Sequence, residues 1–194
     1  MVSSELEARL DNLLTTAQTE TADIDLFAPI PEREECPICL IPMPNDDEVI
    51  FKSCCGKLIC LGCMYKQMVT GLKKGKHPDE YKCALCRQPS LSGQKRIKRL
   101  KKLMKKNDPD AFIEMAKEYK TGEITLQSDT KALEMYICSA ELGLADGFGK
   151  LGWYYEEGIA VEQDMSKALE YYEITAKKGS LDAHKYLAHQ VSGI

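Results

Sequence analysis

The sequence lacks any long hydrophobic run. No stretch approaches the roughly 20 apolar residues that a helix needs to cross a bilayer. The first residues, MVSSELEARLDNLL, carry acids where a secretory signal would be basic and then apolar. We therefore expect a cytoplasmic or nuclear protein that has no membrane partner.

Cysteine is scarce outside one short segment of the chain. Eight of the nine cysteines lie between Cys36 and Cys86, and the ninth is Cys138. Thiols in the cytosol stay reduced, so closely paired cysteines are more often metal ligands there than disulfides. The distribution predicts two chemically unlike modules, of which the first binds metal.

The rest of the composition is that of a folded protein. Hydrophobic residues make up 44% of the 194 residues and charged residues 29%, which is too apolar for wholesale disorder. The net charge of −4 is too small to indicate a partner. We divide the chain into a helix and acidic tether at 1–35, a cysteine-rich domain at 36–92, a basic linker or capping helix at 93–107, and a repeat region at 108–194.

The N-terminal part begins with a predicted helix. Residues 3 to 18 place four leucines on one stripe behind a serine that can cap the helix. Residues 19 to 35 contain two prolines and many acids and are expected to be extended. This tether is either a loose linker or pinned against the cysteine-rich domain by its apolar residues, which are Leu26, Phe27 and Ile30.

The cysteine-rich segment contains three pairs with the C-x2-C spacing, which lets a tight turn present two thiolates to one metal ion. With the adjacent Cys54 and Cys55 they make eight ligands, enough for two closed four-cysteine zinc sites. A closed site indicates a structural metal rather than a catalytic one. Residues 49–51 predict a short strand and residues 61–73 a helix. The three pairs are Cys36 with Cys39, Cys60 with Cys63, and Cys83 with Cys86.

The segment from Gly93 to Lys106 has eight Lys or Arg residues and no acid. Its apolar residues Ile97, Leu100, Leu103 and Met104 fall on one helical face, which predicts an amphipathic helix whose basic face is solvated. No aromatic residues interleave the charges, and this argues against nucleic-acid binding. We expect the helix to cap the region that follows.

From Asp110 the sequence repeats itself every 36 residues, with about a third of the positions matching. Each copy reads as two helices that end at glycines, and a third copy begins at Asp182 and ends early. One such pair cannot bury its apolar face alone, so the copies are expected to stack. The glycines are Gly122 and Gly158 after the first helices and Gly143 and Gly179 after the second.

The repeated pattern resembles the Sel1-like repeat, a relative of the tetratricopeptide repeat, with LGWYYEEGIAVEQDMSKALEYYEITAKKG as its clearest copy. The resemblance covers about residues 108 to 190 and implies an all-α solenoid of helix hairpins that binds other proteins. So short an array needs both ends covered. We expect the basic helix at one end, and at the other Leu181, Tyr186 and Leu187.

The order and gaps of the cysteines resemble the all-cysteine RING finger over about fifty residues. The resemblance implies a small zinc-stabilised α+β domain with two cross-braced zinc sites, in which the first ligand pair joins the third and the second joins the fourth. Carried over to this sequence, one ion takes Cys36, Cys39, Cys60 and Cys63, and the other takes Cys54, Cys55, Cys83 and Cys86.

The adjacent Cys54 and Cys55 depart from the RING pattern, which usually has a spacer between these ligands. Both can reach one zinc only if the chain turns sharply, for which Gly56 is suited. In the alternative register Cys55 is the third ligand, Lys57 stands where RING fingers often have histidine, and His77 would have to complete the site. We favour the first assignment because it supplies four donors.

Several residues resemble the surface with which RING ligases bind a ubiquitin-conjugating enzyme. Ile38 stands where the family has an apolar contact residue, and Arg87 stands at the position of the arginine that steadies the ubiquitin-charged enzyme. Met64 and Met68 would add apolar contacts from the central helix. Ala84 replaces a proline that is common in the family.

The resemblance implies a RING-type E3 ubiquitin ligase that recruits a conjugating enzyme through the RING and a protein substrate or adaptor through the repeats. Such a ligase acts by orientation and has no catalytic nucleophile. No catalytic side chain is therefore predicted. The unusual CCG segment and the missing proline favour the alternative, a zinc-dependent scaffold for protein contacts without enzyme activity.

Overall fold

The computed structural model describes residues 3–26, 34–43, 48–75, 81–89 and 91–192. Over these ranges the chain forms eight helices and one two-stranded sheet, and no helix there is long and apolar enough to span a membrane. The chain divides into two compact units, the repeat unit (Met1–Pro31 and Phe112–Ile194) and the cysteine unit (Glu32–Ala111). The predictions for Phe27, Ile30 and His77 lie outside the described residues.

The cysteine unit is built around an antiparallel hairpin and a helix. Strand β1 (Val49–Lys52) pairs with β2 (Lys57–Cys60), and Lys52 lies opposite Lys57. The loop that closes the hairpin therefore contains Cys54, Cys55 and Gly56. Helix α2 (Leu61–Lys73) follows β2 directly, with the bounds that the sequence predicts.

The basic helix α3 (Gly93–Met104) belongs to the cysteine unit. Its residues Ile97, Leu100 and Leu103 are buried, and its lysines are exposed, as the amphipathic pattern predicts. Arg99 of this helix donates a hydrogen bond to the carbonyl oxygen of Cys54, within the same unit. That α3 also caps the repeats stays a prediction.

The repeats form helix hairpins that follow the 36-residue period. Ser128 and Asp164, which are one period apart, cap α5 and α7 with their side-chain oxygens. All four predicted glycines have φ between +67° and +96°, the left-handed conformation that ends a helix. The first hairpin is α4 (Pro109–Thr121) with α5 (Asp129–Glu141), the second is α6 (Ala145–Glu157) with α7 (Met165–Lys177), and α8 (Leu181–Ser192) follows.

Helix α8 covers one end of the repeats, as predicted. The rings of Tyr172 and Tyr186 lie 4.5 Å apart, and both hydroxyls donate to the carboxylate of Glu156, at 2.5 Å and 2.6 Å. Tyr186 and Leu187 pack against the apolar core. The first helix of the third copy thus packs against α7.

The N-terminal helix α1 (Ser4–Glu20) packs on the second helices of both repeats, α5 and α7. The Tyr171 hydroxyl donates to the Leu10 carbonyl oxygen at 2.9 Å in a buried position. The Arg9 guanidinium binds both carboxylate oxygens of Glu141 at 2.9 Å. The leucine stripe predicts this helix but not the surface against which it packs. In the structure its four leucines join the core of the repeats, and they are Leu6, Leu10, Leu13 and Leu14.

Candidate metal centres

The first and last cysteine pairs lie in loops of the same geometry. The N–H of Leu40 donates to the Cys36 carbonyl oxygen at 2.9 Å, and the N–H of Arg87 donates to the Cys83 carbonyl oxygen at 2.9 Å. Leu40 and Arg87 have φ of 57° and 59°, so each loop closes through a left-handed residue. Each loop therefore presents its two sulfurs in the same way.

The adjacent cysteines lie at the tip of the hairpin. The N–H groups of Cys55 and Gly56 both donate to the Lys52 carbonyl oxygen, at 3.0 Å and 2.8 Å. Gly56 has φ of 68°, a conformation that glycine adopts without steric cost. This tight turn brings the sulfurs of Cys54 and Cys55 into one group, whereas Lys57 of the alternative register is exposed at the start of β2.

The eight sulfurs form two groups of four, and within each group all sulfurs lie within 4.8 Å of one another. Sulfurs bound at about 2.3 Å to a tetrahedral zinc ion lie about 3.8 Å apart. The Sγ–Sγ distances are 3.8 Å for Cys39 and Cys60, 3.9 Å for Cys55 and Cys83, and 3.5 Å for Cys54 and Cys86. The nine cysteines, all in the described ranges, form no disulfide.

The membership of the groups is the one that the cross-braced resemblance implies. Because the spacing and the donor set fit a tetrahedral thiophilic ion, each group could hold a zinc ion. The first cluster is Cys36, Cys39, Cys60 and Cys63, and the second cluster is Cys54, Cys55, Cys83 and Cys86.

Backbone N–H groups support the sulfurs of the first cluster. The Cys60 N–H points to the Cys36 sulfur at 3.5 Å, and the Cys63 N–H points to the Cys60 sulfur at 3.4 Å at the start of α2. Burial by itself raises the pKa of the Cys36 thiol, but the N–H groups of Cys60, Cys39 and Ile38 outweigh it and lower the pKa to about 6. Burial and the neighbouring thiols raise the pKa of Cys63 to about 12.

In the second cluster too, the pKa of one thiol is lowered and the pKa values of others are raised. Burial opposes ionisation of Cys83, yet the N–H groups of Cys86 and Leu85 lower its pKa to about 7. Burial and the charge of Cys83 raise the pKa of Cys55 to about 11, and burial and the Cys86 thiol raise that of Cys54. One thiol of each cluster thus ionises first, and a bound cation would favour ionisation of the others.

The four predicted partner-binding residues fall at two places. Ile38, 39% exposed, and Arg87, also exposed, lie on the two matching cysteine loops. Met64 and Met68 of α2 line a cavity of about 350 Å³ whose wall also includes Phe51, and neither Ile38 nor Arg87 lines it. Ile38 and Arg87 therefore lie outside the cavity that the two methionines line.

Arg99 is a residue that the sequence analysis did not select for the site. Its Nη2 atom donates to the carbonyl oxygen of the ligand residue Cys54 at 3.0 Å. In the sequence Arg99 is one of eight basic residues in a segment without acids, and no local pattern distinguishes it from the others. Only the packing of α3 identifies it.

Three of the solved structures similar to this chain are bacterial proteins. A Sel1 repeat protein from Oxalobacter formigenes is 30% identical over 50% of this chain and 40% of its own, with a TM-score of 0.47. Cysteine rich protein B of Helicobacter pylori is 24% identical over 50% of this chain and 73% of its own, with a TM-score of 0.48. A protective antigen of uropathogenic Escherichia coli with an SLR fold is 30% identical over 48% of this chain and 20% of its own, with a TM-score of 0.44.

The chain therefore spans less than half the length of two of these proteins. A comparison with curated proteins found no match. The comparison with protein families matched the Sel1 repeat at residues 109–144 and 150–180, which fall on the hairpins α4–α5 and α6–α7. These two segments, about a third of the chain, match the Sel1 repeat.

Proposed function

We propose that this chain is a zinc-dependent adaptor, in which a two-zinc RING-type module and a Sel1 repeat scaffold bind different proteins. The observation that carries the proposal is the arrangement of eight cysteine sulfurs in two groups of four at tetrahedral spacing. Four thiolates close the coordination sphere of zinc, so the ions stabilise the module and do not bind substrate.

Chelation of the metal tests whether zinc stabilises the cysteine unit and not the repeat unit. The cysteine unit has few buried apolar residues in its described part, whereas the repeat unit has a continuous apolar core. Because thiolate sites couple metal binding to folding, a strong chelator should unfold the cysteine unit and leave most of the helical circular-dichroism signal. An unchanged amide NMR spectrum of β1, β2 and α2 after chelation would contradict a metal-stabilised module.

We further propose that the module is an E3 ubiquitin ligase. Ile38 and Arg87 support this, since both are exposed and both lie on the matching cysteine loops, at the positions that the RING resemblance assigns to enzyme contact. The module would hold the conjugating enzyme and its ubiquitin thioester in a reactive geometry while a lysine of a protein on the repeats attacks. Catalysis of this kind comes from orientation.

Ubiquitin transfer assays with a panel of conjugating enzymes test the ligase. Ile38→Ala and Arg87→Ala should each lower autoubiquitination at least about tenfold, because they remove contacts to the enzyme and to its thioester conjugate. Leu40→Ala is the control, since Leu40 is 69% exposed on the same loop as Ile38 and has no assigned contact. All variants should keep the zinc content of the wild type.

The alternative is a scaffold whose zinc module only folds and docks. The hairpin tip with adjacent Cys54 and Cys55 favours it, because this segment departs from the RING pattern close to its second metal site. The absence of ubiquitin transfer with every conjugating enzyme, from a chain that binds zinc and is folded, would establish the scaffold and contradict the ligase.

A further inference from the structure

The basic helix α3 contacts the cysteine unit at the hairpin tip that carries the adjacent cysteines. Arg99 Nη2 donates to the Cys54 carbonyl oxygen at 3.0 Å. Leu103 packs against Gly56 closely enough that a Cβ there would lie 3.3 Å from Leu103 Cδ2 and 2.6 Å from Oδ2 of Asp108. Helix α3 and the residue before α4 therefore hold the loop that supplies two of the second cluster's four sulfurs.

Arg99 places a positive charge at this loop without a carboxylate partner among the described residues. Its Nε atom is buried and has no hydrogen-bond acceptor among the described residues. No carboxylate in that part of the chain forms an ion pair with Arg99 either. Arg99 is half-buried, and removing part of a guanidinium from water costs free energy unless a negative charge compensates it. Four thiolates around a divalent zinc ion carry a net charge of about −2. A filled second site would therefore offset the positive charge of Arg99.

We propose that Arg99 is a positioning residue of the second cluster, which fixes the Cys54–Cys55 peptide and offsets the negative charge of the metal-bound thiolates. The helix α3 is then a structural part of the metal module. This inference rests on the proposed two-zinc function and assigns one residue of the basic segment a role that its exposed lysines do not share.

Zinc release from the full-length chain to a colorimetric chelator tests this role. Arg99→Met keeps most of the aliphatic stem but removes the charge and the donors, and it should speed the release of one of the two zinc ions about 10- to 100-fold. Arg99→Lys keeps the charge and can still donate a charge-assisted hydrogen bond, so it should release zinc within about threefold of the wild-type rate. Lys98→Gln, which removes an exposed charge from the same helix, should release both ions at wild-type rates.

Cadmium NMR gives a second readout, which reports on the metal site itself. In the cadmium-loaded chain the two sites should give separate signals, and Arg99→Met should shift only one of them. Equal zinc release from wild type, Arg99→Met and Lys98→Gln would overturn the role of Arg99 and leave the two-zinc function intact. Wild-type protein that binds no zinc would overturn both proposals.

Discussion

At the scale of single residues, Gly56 decides whether two adjacent cysteines can serve one site. Its φ of 68° allows the tight turn, and the space at its Cα is closed by Asp108 and Leu103. Another residue there would meet both a strained backbone and a steric clash. The unusual CCG segment therefore forms a tight turn that favours glycine at position 56.

Replacing Gly56 with Ala should destabilise the zinc-loaded cysteine unit by about 1 to 3 kcal/mol from backbone strain, and further from the contact with Asp108. Gly75→Ala is the matched control, because Gly75 also has φ of 68° but no heavy atom of the described residues lies within 4 Å of the added Cβ. Urea unfolding of both variants measures the difference. Equal losses of stability would show that the closed space at Gly56 does not matter.

Two buried tyrosines differ in whether the hydroxyl has a hydrogen-bond partner. Comparing them separates the contribution of that hydrogen bond to stability from the contribution of the buried ring. The Tyr171 hydroxyl donates to the Leu10 carbonyl oxygen, whereas the buried Tyr154 hydroxyl has no partner in the described ranges. Tyr171→Phe should cost about 1 kcal/mol, and Tyr154→Phe should cost less or be stabilising, because it removes an unpaired polar group. Thermal unfolding would contradict this account if Tyr154→Phe were the more destabilising change.

At the scale of elements, local patterns predicted most of the helices but few of the packing contacts between them. The capping of α5 and α7, the glycine stops and the bounds of α2 follow from nearby residues, so the sequence was sufficient for them. The docking of α1 joins Arg9 to Glu141 and Asp11 to Lys167, more than a hundred residues apart in the chain. No periodicity within one helix encodes such contacts.

The docking of α1 should depend on its leucines and little on its charges. Leu10 is fully buried in the core of the repeats, so Leu10→Ala should destabilise the repeat unit by about 2 to 5 kcal/mol. Arg9→Ala breaks an exposed ion pair and should cost about 1 kcal/mol or less. Leu126→Ala, at a leucine that is 88% exposed, is the control for loss of side-chain volume. A Leu10→Ala variant as stable as Leu126→Ala would show that α1 is not part of the core.

At the scale of the whole molecule, the chain is two units whose stabilities have different sources. The repeat unit is held by an apolar core in which α1 takes part, although the cysteine unit separates α1 from the repeats in sequence. The cysteine unit has few buried apolar residues among those described, and under our proposal two zinc ions bound by its clustered cysteines stabilise it. Spacing alone predicted eight ligands and two sites, but only the RING resemblance implied which cysteines combine, since the grouping depends on how the hairpin and the two loops come together.

Zinc content is the measurement that tests the central claim most directly. Metal analysis of the wild-type chain should return about two zinc ions per chain, because two groups of four thiolates are assembled. Cys55→Ser should lower the content to about one ion, whereas Cys138→Ser, outside both clusters, should leave two. One zinc ion in the wild type and no change in Cys55→Ser would contradict the pairing of Cys54 with Cys55, and no zinc at all would contradict the metal-dependent adaptor.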